Sequence, residues 1–128
     1  LQGGEVIELA SDLGGGKTAF TRGLAKGMGS TDTVHSPSFT LCDQYQGGEL
    51  VIYHFDFYRL SEPGIMRQEL AEAVADPNGV VVVEWADIVE DVLPVERLAI
   101  QITVTGETSR RFTCSYSQTL AYLIDPAA

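Results

Sequence analysis

Residues 5–28 read EVIELASDLGGGKTAFTRGLAKGM, and this stretch constrains the fold more than any other. Glu5 to Ala10 is a short apolar run with strand character. It leads directly into SDLGGGKT, residues 11–18, and from there into a helix. From Gly16 to Met28, the residues Phe20, Leu24 and Met28 recur every fourth position and share one helical face. Gly29 supplies a natural C-terminal stop. Gly23 and Gly27 each cost about 1 kcal/mol against alanine inside a helix. Their spacing predicts a bare stripe pressed close against a sheet. A strand, a glycine loop and a helix in that order place the chain among α/β folds.

The loop matches the phosphate-binding pattern G-x-x-x-x-G-K-[ST] at every position but the first, where Ser11 stands for glycine. Successive backbone N–H groups in such a loop converge on an anion, and the following helix adds the positive end of its dipole. Asp12, Leu13, Gly14, Gly15, Gly16, Lys17, Thr18 and Ala19 are therefore the candidate binding residues for ATP or ADP. Lys17 would reach the β- and γ-phosphates, and the Thr18 hydroxyl would bind Mg²⁺. If the Ser11 backbone must be left-handed, serine costs about 1–2 kcal/mol more than glycine. A micromolar site is worth roughly 8 kcal/mol, so that penalty weakens binding without abolishing it.

Downstream, SFTLCDQY and ELVIYHFDF flank Gly47-Gly48 and predict a β-hairpin. Residues 63–75 predict a helix with Met66, Leu70 and Val74 on one side. Val80 to Val83 is a β-branched run suited to a strand buried on both faces. Leu98, Ile100, Ile102 and Val104 alternate, then Phe112, Cys114 and Tyr116, which predicts a second hairpin. Ser117 is placed to cap a short terminal helix carrying Leu120, Leu123 and Ile124. Together these elements predict one α/β domain over 1–128, a three-layer sandwich of the P-loop NTPase type with a mixed β-sheet and two β-hairpins.

Two carboxylates fall where magnesium chemistry wants them. Asp56 follows LVIYHF and Glu84 follows VVVV, each at the C-terminal end of an apolar strand. In open α/β sheets ligands bind at that edge. There a carboxylate can hold Mg²⁺ or orient an attacking water. HSPSFT, residues 35–40, adds the hydroxyls of Ser36, Ser38 and Thr40 in a proline-fixed loop. His54 reads as a satisfied strand histidine, and Trp85 as a core or rim aromatic.

The net charge of −10 argues against a direct grip on nucleic acid, since such binding draws its strength from basic residues on phosphates. With Lys17, Lys26 and six arginines as the only cations, any RNA is expected to be held by a partner. Cys42 and Cys114 form no metal-binding pattern and are expected to be reduced, mostly buried thiols of a cytoplasmic protein. No apolar run is long enough for a membrane span. The chain begins at Leu1 and enters a strand pattern almost at once, which leads us to expect a preceding native N-terminal segment.

Taken together, SDLGGGKTAFTRGLAKGMG, SPSFTLCDQY, YHFDFYRL, VVEWAD and a following LP resemble the TsaE (YjeE) family from about Gly4 to Ile102. These are small P-loop ATPases of tRNA threonylcarbamoyladenosine modification. The resemblance implies that Gly14, Gly16, Lys17 and Thr18 bind phosphate and magnesium, and that Ser36 to Thr40 sense the nucleotide. It also implies that Asp56 is the Walker-B-like acid, that Glu84 completes the metal or water site, and that Trp85 serves activity beside it. Which acid meets the metal and which polarises water stays open. The partners implied are TsaB and TsaD. The chain departs from the family's usual G-D-L-G-A-G-K-T at Ser11 and Gly15, from its S-P-T at Ser38, and carries an unusual strand charge, Glu8. The competing reading is a nucleotide-binding regulatory module with little or no hydrolysis. A kinase lacks an arginine cluster here, and a GTPase lacks an N-K-x-D pattern.

Overall fold

The computed structural model describes residues 2–11, 17–29, 42–57, 66–84, 89 and 91–124. Six strands form one sheet: β1 (Val6–Ser11), β2 (Cys42–Gly47), β3 (Leu50–Asp56), β4 (Gly79–Glu84), β5 (Leu98–Val104) and β6 (Arg110–Ser115). Their spatial order is β2-β3-β4-β1-β5-β6. β3, β4, β1 and β5 run parallel, and β2 and β6 pair antiparallel at the two edges. The sheet is thus mixed, with the two expected hairpins as its margins.

The helices α1 (Lys17–Gly27) and α2 (Met66–Ala75) cover opposite faces. Side chains alternate along a strand, so odd and even positions separate the two cores. Ile7, Leu9, Ile52, Val80, Val82, Leu98, Ile100 and Ile102 pack on the α1 side with Phe20, Leu24 and Met28. Val6, Phe55, Phe57, Val81 and Val83 pack on the α2 side with Leu70 and Ala73. The valine run of β4 is buried on both faces, as its lack of alternation predicts. Fully burying a side chain such as Leu70 contributes about 1.5–3 kcal/mol.

Gly29 ends α1 at φ +84, the left-handed conformation expected of a C-terminal stop. Gly48 takes φ +62 in the β2–β3 turn, where glycine carries no Cβ penalty.

Three expectations change. Gly23 and Gly27 do not press on the sheet: a Cβ at either would meet nothing within 4 Å. The buried side of α1 is instead Thr21 and Ala25, flanked by Phe20, Leu24 and Met28. In α2, Leu70 and Val74 face the sheet as expected, with Ala73 beside them, and the Met66 side chain lies outside the described residues. The second hairpin is only partly covered, because Val104 and Phe112 are half exposed and Tyr116 lies beyond the end of β6. The terminal helix is a 3-10 helix, Gln118–Leu123. Ser117 occupies its N-cap without a capping bond, since its hydroxyl pairs with Thr119 Oγ1 at 2.9 Å.

Glu8, the charge that seemed out of place in β1, has a partner. Its Oε2 lies 3.6 Å from Arg97 Nε, and Arg97 also donates from Nη1 to the Pro94 carbonyl at 2.9 Å. Cys114 is a free, partly buried thiol. No described helix is long and apolar enough to cross a membrane.

Candidate functional site

Because four neighbouring strands are parallel, their C-terminal ends share one edge of the sheet. β1 ends there at Ser11, β3 at Asp56 and β4 at Glu84. Asp56 and Glu84 are register partners across β3 and β4, and Leu9 of β1 pairs with Glu84 from the other side. Registered neighbours face the same way, so both acids share the α1 side with Leu9 and Val82. Two carboxylates thus stand abreast at the edge where the chain leaves β1 toward α1. Asp56 is half-buried, whereas Glu84 is only 2% exposed.

An ionised carboxylate buried that deeply requires a compensating partner. His54 is one: its Nε2 lies 2.5 Å from Glu84 Oε2, and the ring is 0% exposed. Tyr45 of β2 packs near it, with ring centroids 6.4 Å apart. His54 is a satisfied strand histidine, as expected, and its partner is a candidate site acid, which the sequence pattern did not indicate. Parity places His54 on the face of Asp56, two residues on, but its pairing with Glu84 follows from the β3–β4 register. Nδ1 of His54 has no hydrogen-bond partner among the described residues.

Lys17, Thr18 and Ala19 open α1 immediately after the glycine loop, with Ala19 exposed. Asp12, Leu13, Gly14, Gly15 and Gly16 lie outside the described residues, as do Ser36, Ser38, Thr40, Arg59 and Trp85. Ser11 is the last residue of β1 and pairs in register with Ile102. Its backbone is extended, so the left-handed penalty considered for serine does not arise.

Among the described residues no group of three or more His, Cys, Asp and Glu side chains is arranged to hold a metal. The donor chemistry of Asp56 and Glu84 nevertheless fits magnesium. That ion takes hard oxygen ligands, binds through one or two carboxylates, and completes its shell with phosphates and water.

A parallel-centred mixed sheet, with a GKT loop joining its central strand to the first helix, defines a P-loop NTPase-like α/β fold. The same architecture is found in a crystal structure of Bacillus subtilis YdiB, which aligns with a TM-score of 0.74 and 37% identity over 96% of this chain and 76% of that one. The family model for Threonylcarbamoyl adenosine biosynthesis protein TsaE matches residues 1–112. The Bacillus subtilis tRNA threonylcarbamoyladenosine biosynthesis protein TsaE is 42% identical over 111 residues, 86% of this chain and 68% of the relative. The Nostoc protein of the same name is 34% identical over 129 aligned residues, 94% of this chain and 79% of the relative. The chain belongs to the TsaE family, which serves tRNA threonylcarbamoyladenosine biosynthesis.

Proposed function

We propose that this protein is a cytoplasmic, ATP-binding and slowly ATP-hydrolysing subunit that acts on a TsaB–TsaD complex in threonylcarbamoyladenosine modification of tRNA. The observation that carries the reading is the register of Asp56 with Glu84 on the α1 side of the edge where β1 gives way to the GKT loop. In this reading the loop backbone from Asp12 to Ala19 binds the phosphates, and Lys17 balances charge on the β- and γ-phosphates. Ser38 and Thr40 read the nucleotide state. Thr18, Asp56 and Glu84 would hold magnesium, which when bound neutralises charge on the phosphates.

Water adds to the γ-phosphorus, the bond to the β–γ bridging oxygen breaks, and ADP leaves with that electron pair. One of the two carboxylates orients the water for attack. Trp85, next in the chain after Glu84, serves activity beside it. The net charge of −10 supports leaving the tRNA to a partner. The alternative, a nucleotide-binding module with little or no hydrolysis, rests on Ser11 and Ser38, and the strand pairing of Ser11 with Ile102 speaks against strain at the first of these.

The test is ATP turnover by the full-length protein, alone and with its TsaB and TsaD homologues. Turnover should rise with the partners and be abolished in Lys17→Ala. Partners that neither bind the protein nor change its turnover would overturn the reading.

A further inference from the structure

We propose that His54 is a positioning residue that holds the Glu84 carboxylate in the orientation the site uses, through the Nε2–H to Oε2 hydrogen bond. The inference rests on the ATPase reading above. His54 is fully buried, and its neighbours on the same face are Ile52 and Asp56 along β3, Val82 on β4 and Asp43 on β2. An aliphatic side chain there would leave the buried Glu84 carboxylate without this partner. The imidazole's partner is the carboxylate that ends the next strand, two positions beyond its own register partner Val82. The contact is diagonal along the sheet, toward the edge where the two acids stand.

Three strands contribute to this arrangement. From β2, Asp43 is the register partner of His54, and Tyr45 packs on the ring at an interplanar angle of 42°. From β3 comes the imidazole, and from β4 the glutamate. A free glutamate samples a broad terminal torsion. Anchoring one oxygen to a ring that is itself wedged in the core removes that freedom, which is what second-layer partners do for metal-site carboxylates. The fixed carboxylate faces the α1 side of the sheet, beside Leu9 at the edge where β1 ends.

The test uses the full-length protein with its partners, the variants His54→Leu and His54→Gln, and a fluorescent ATP analogue as the binding probe. In His54→Leu, kcat should fall about 10- to 100-fold, the usual cost of losing such a partner. The nucleotide Kd should stay within about threefold, because the lost interaction does not contribute uniformly to binding. The amide of His54→Gln keeps an N–H donor and should restore most of kcat. Wild-type kcat in a folded His54→Leu protein overturns the inference, as does a folded His54→Gln no faster than His54→Leu.

A second readout does not depend on turnover. Histidine-labelled wild-type protein should show a slowly exchanging Nε2–H proton in NMR spectra, and Glu84→Ala should lose it. Absence of that proton in the wild type overturns the inference even if His54→Leu does not fold. If wild-type turnover is no greater than that of Lys17→Ala, the ATPase reading fails. The proton then decides the pairing: its loss in Glu84→Ala sustains it, and its persistence there overturns it.

Discussion

Two glutamates are buried in this sheet at opposite ends, and they are held in different ways. Glu5, 3% exposed, precedes β1 at the N-terminal edge. Its carboxylate accepts from the Gln2 and Gly3 N–H groups, both at 2.7 Å, and from the Tyr122 hydroxyl at 2.5 Å. Glu84, 2% exposed, closes β4 at the C-terminal edge and is held by a histidine on the adjacent strand. Burial pushes the Glu5 carboxyl up, but the Tyr122 bond and the backbone donors outweigh it and leave its pKa below the ordinary value. The same contact works in the opposite direction on Tyr122, where burial and then the Glu5 bond and charge push the phenol up to about 12. Glu5 fastens the start of the sheet to the 3-10 helix 117 residues away, while Glu84 stands beside a second acid at the C-terminal edge, where open α/β sheets take their ligands. Burial of a carboxylate does not by itself mark a site. The edge of the sheet and the kind of donor distinguish the two cases.

The sharpest way to break this comparison is to neutralise each glutamate in turn. Glu84→Gln should reduce ATP turnover by about 100-fold or more, in the range of a lost acid–base or water-orienting group. Its melting temperature should move by only a few degrees. Glu5→Gln should do the reverse, costing roughly 1–3 kcal/mol of stability in urea unfolding while kcat stays within about twofold. If Glu5→Gln removes turnover in a folded protein, the division between fastening and chemistry is wrong.

Acidity sharpens the same contrast. Because the folded-state pKa of Glu5 lies below its ordinary 4.5, its stabilisation is fully present above that value and is lost as pH falls through the lower one. Tyr122, raised above its ordinary 10.0, contributes stability that is present below that value and is lost as pH rises toward about 12. The stability gap between wild type and Glu5→Gln should therefore hold through neutral pH and close on strong acidification. Urea midpoints measured across pH check this. The smallest expected effect is that of Ser11→Gly. With an extended backbone at Ser11, ATP affinity should change by less than about threefold, and the strand should lose roughly 0.5–1 kcal/mol to glycine's added chain freedom. A tenfold gain in ATP affinity would show strain that the strand geometry does not contain.

The elements whose signals are local were legible in the sequence. The valine run of β4, the double-glycine turn of the first hairpin and the Gly29 stop each reflect a nearby steric or burial requirement. Coverage was less legible. A spacing of four places Gly23 and Gly27 on one side of α1 without saying which side the sheet takes, and Thr21 and Ala25 take it. Alternation in β6 likewise identifies one face without showing how far it is covered, and Phe112, beside the Phe20 ring at 6.2 Å, stays half exposed. Asp56 and Glu84 could each be read as strand-end acids. Their register, and with it the reach of His54 to Glu84, depends on pairing two strands separated by a helix. No local pattern encodes that register.

The position of β1 has a consequence for how the protein is made. Ile7 pairs with Val82 on one side and with Leu98 on the other, so β1 gains its second neighbour only after β5 has been synthesised. Contacts this distant along the chain are slow to form. On the ribosome, β1 emerges well before β4 and β5, and it lacks its second neighbour until the chain has grown beyond Val104. β1 therefore depends on prompt completion of synthesis, and an exposed apolar VIEL segment is the form in which a stalled or truncated product would meet chaperones or aggregate.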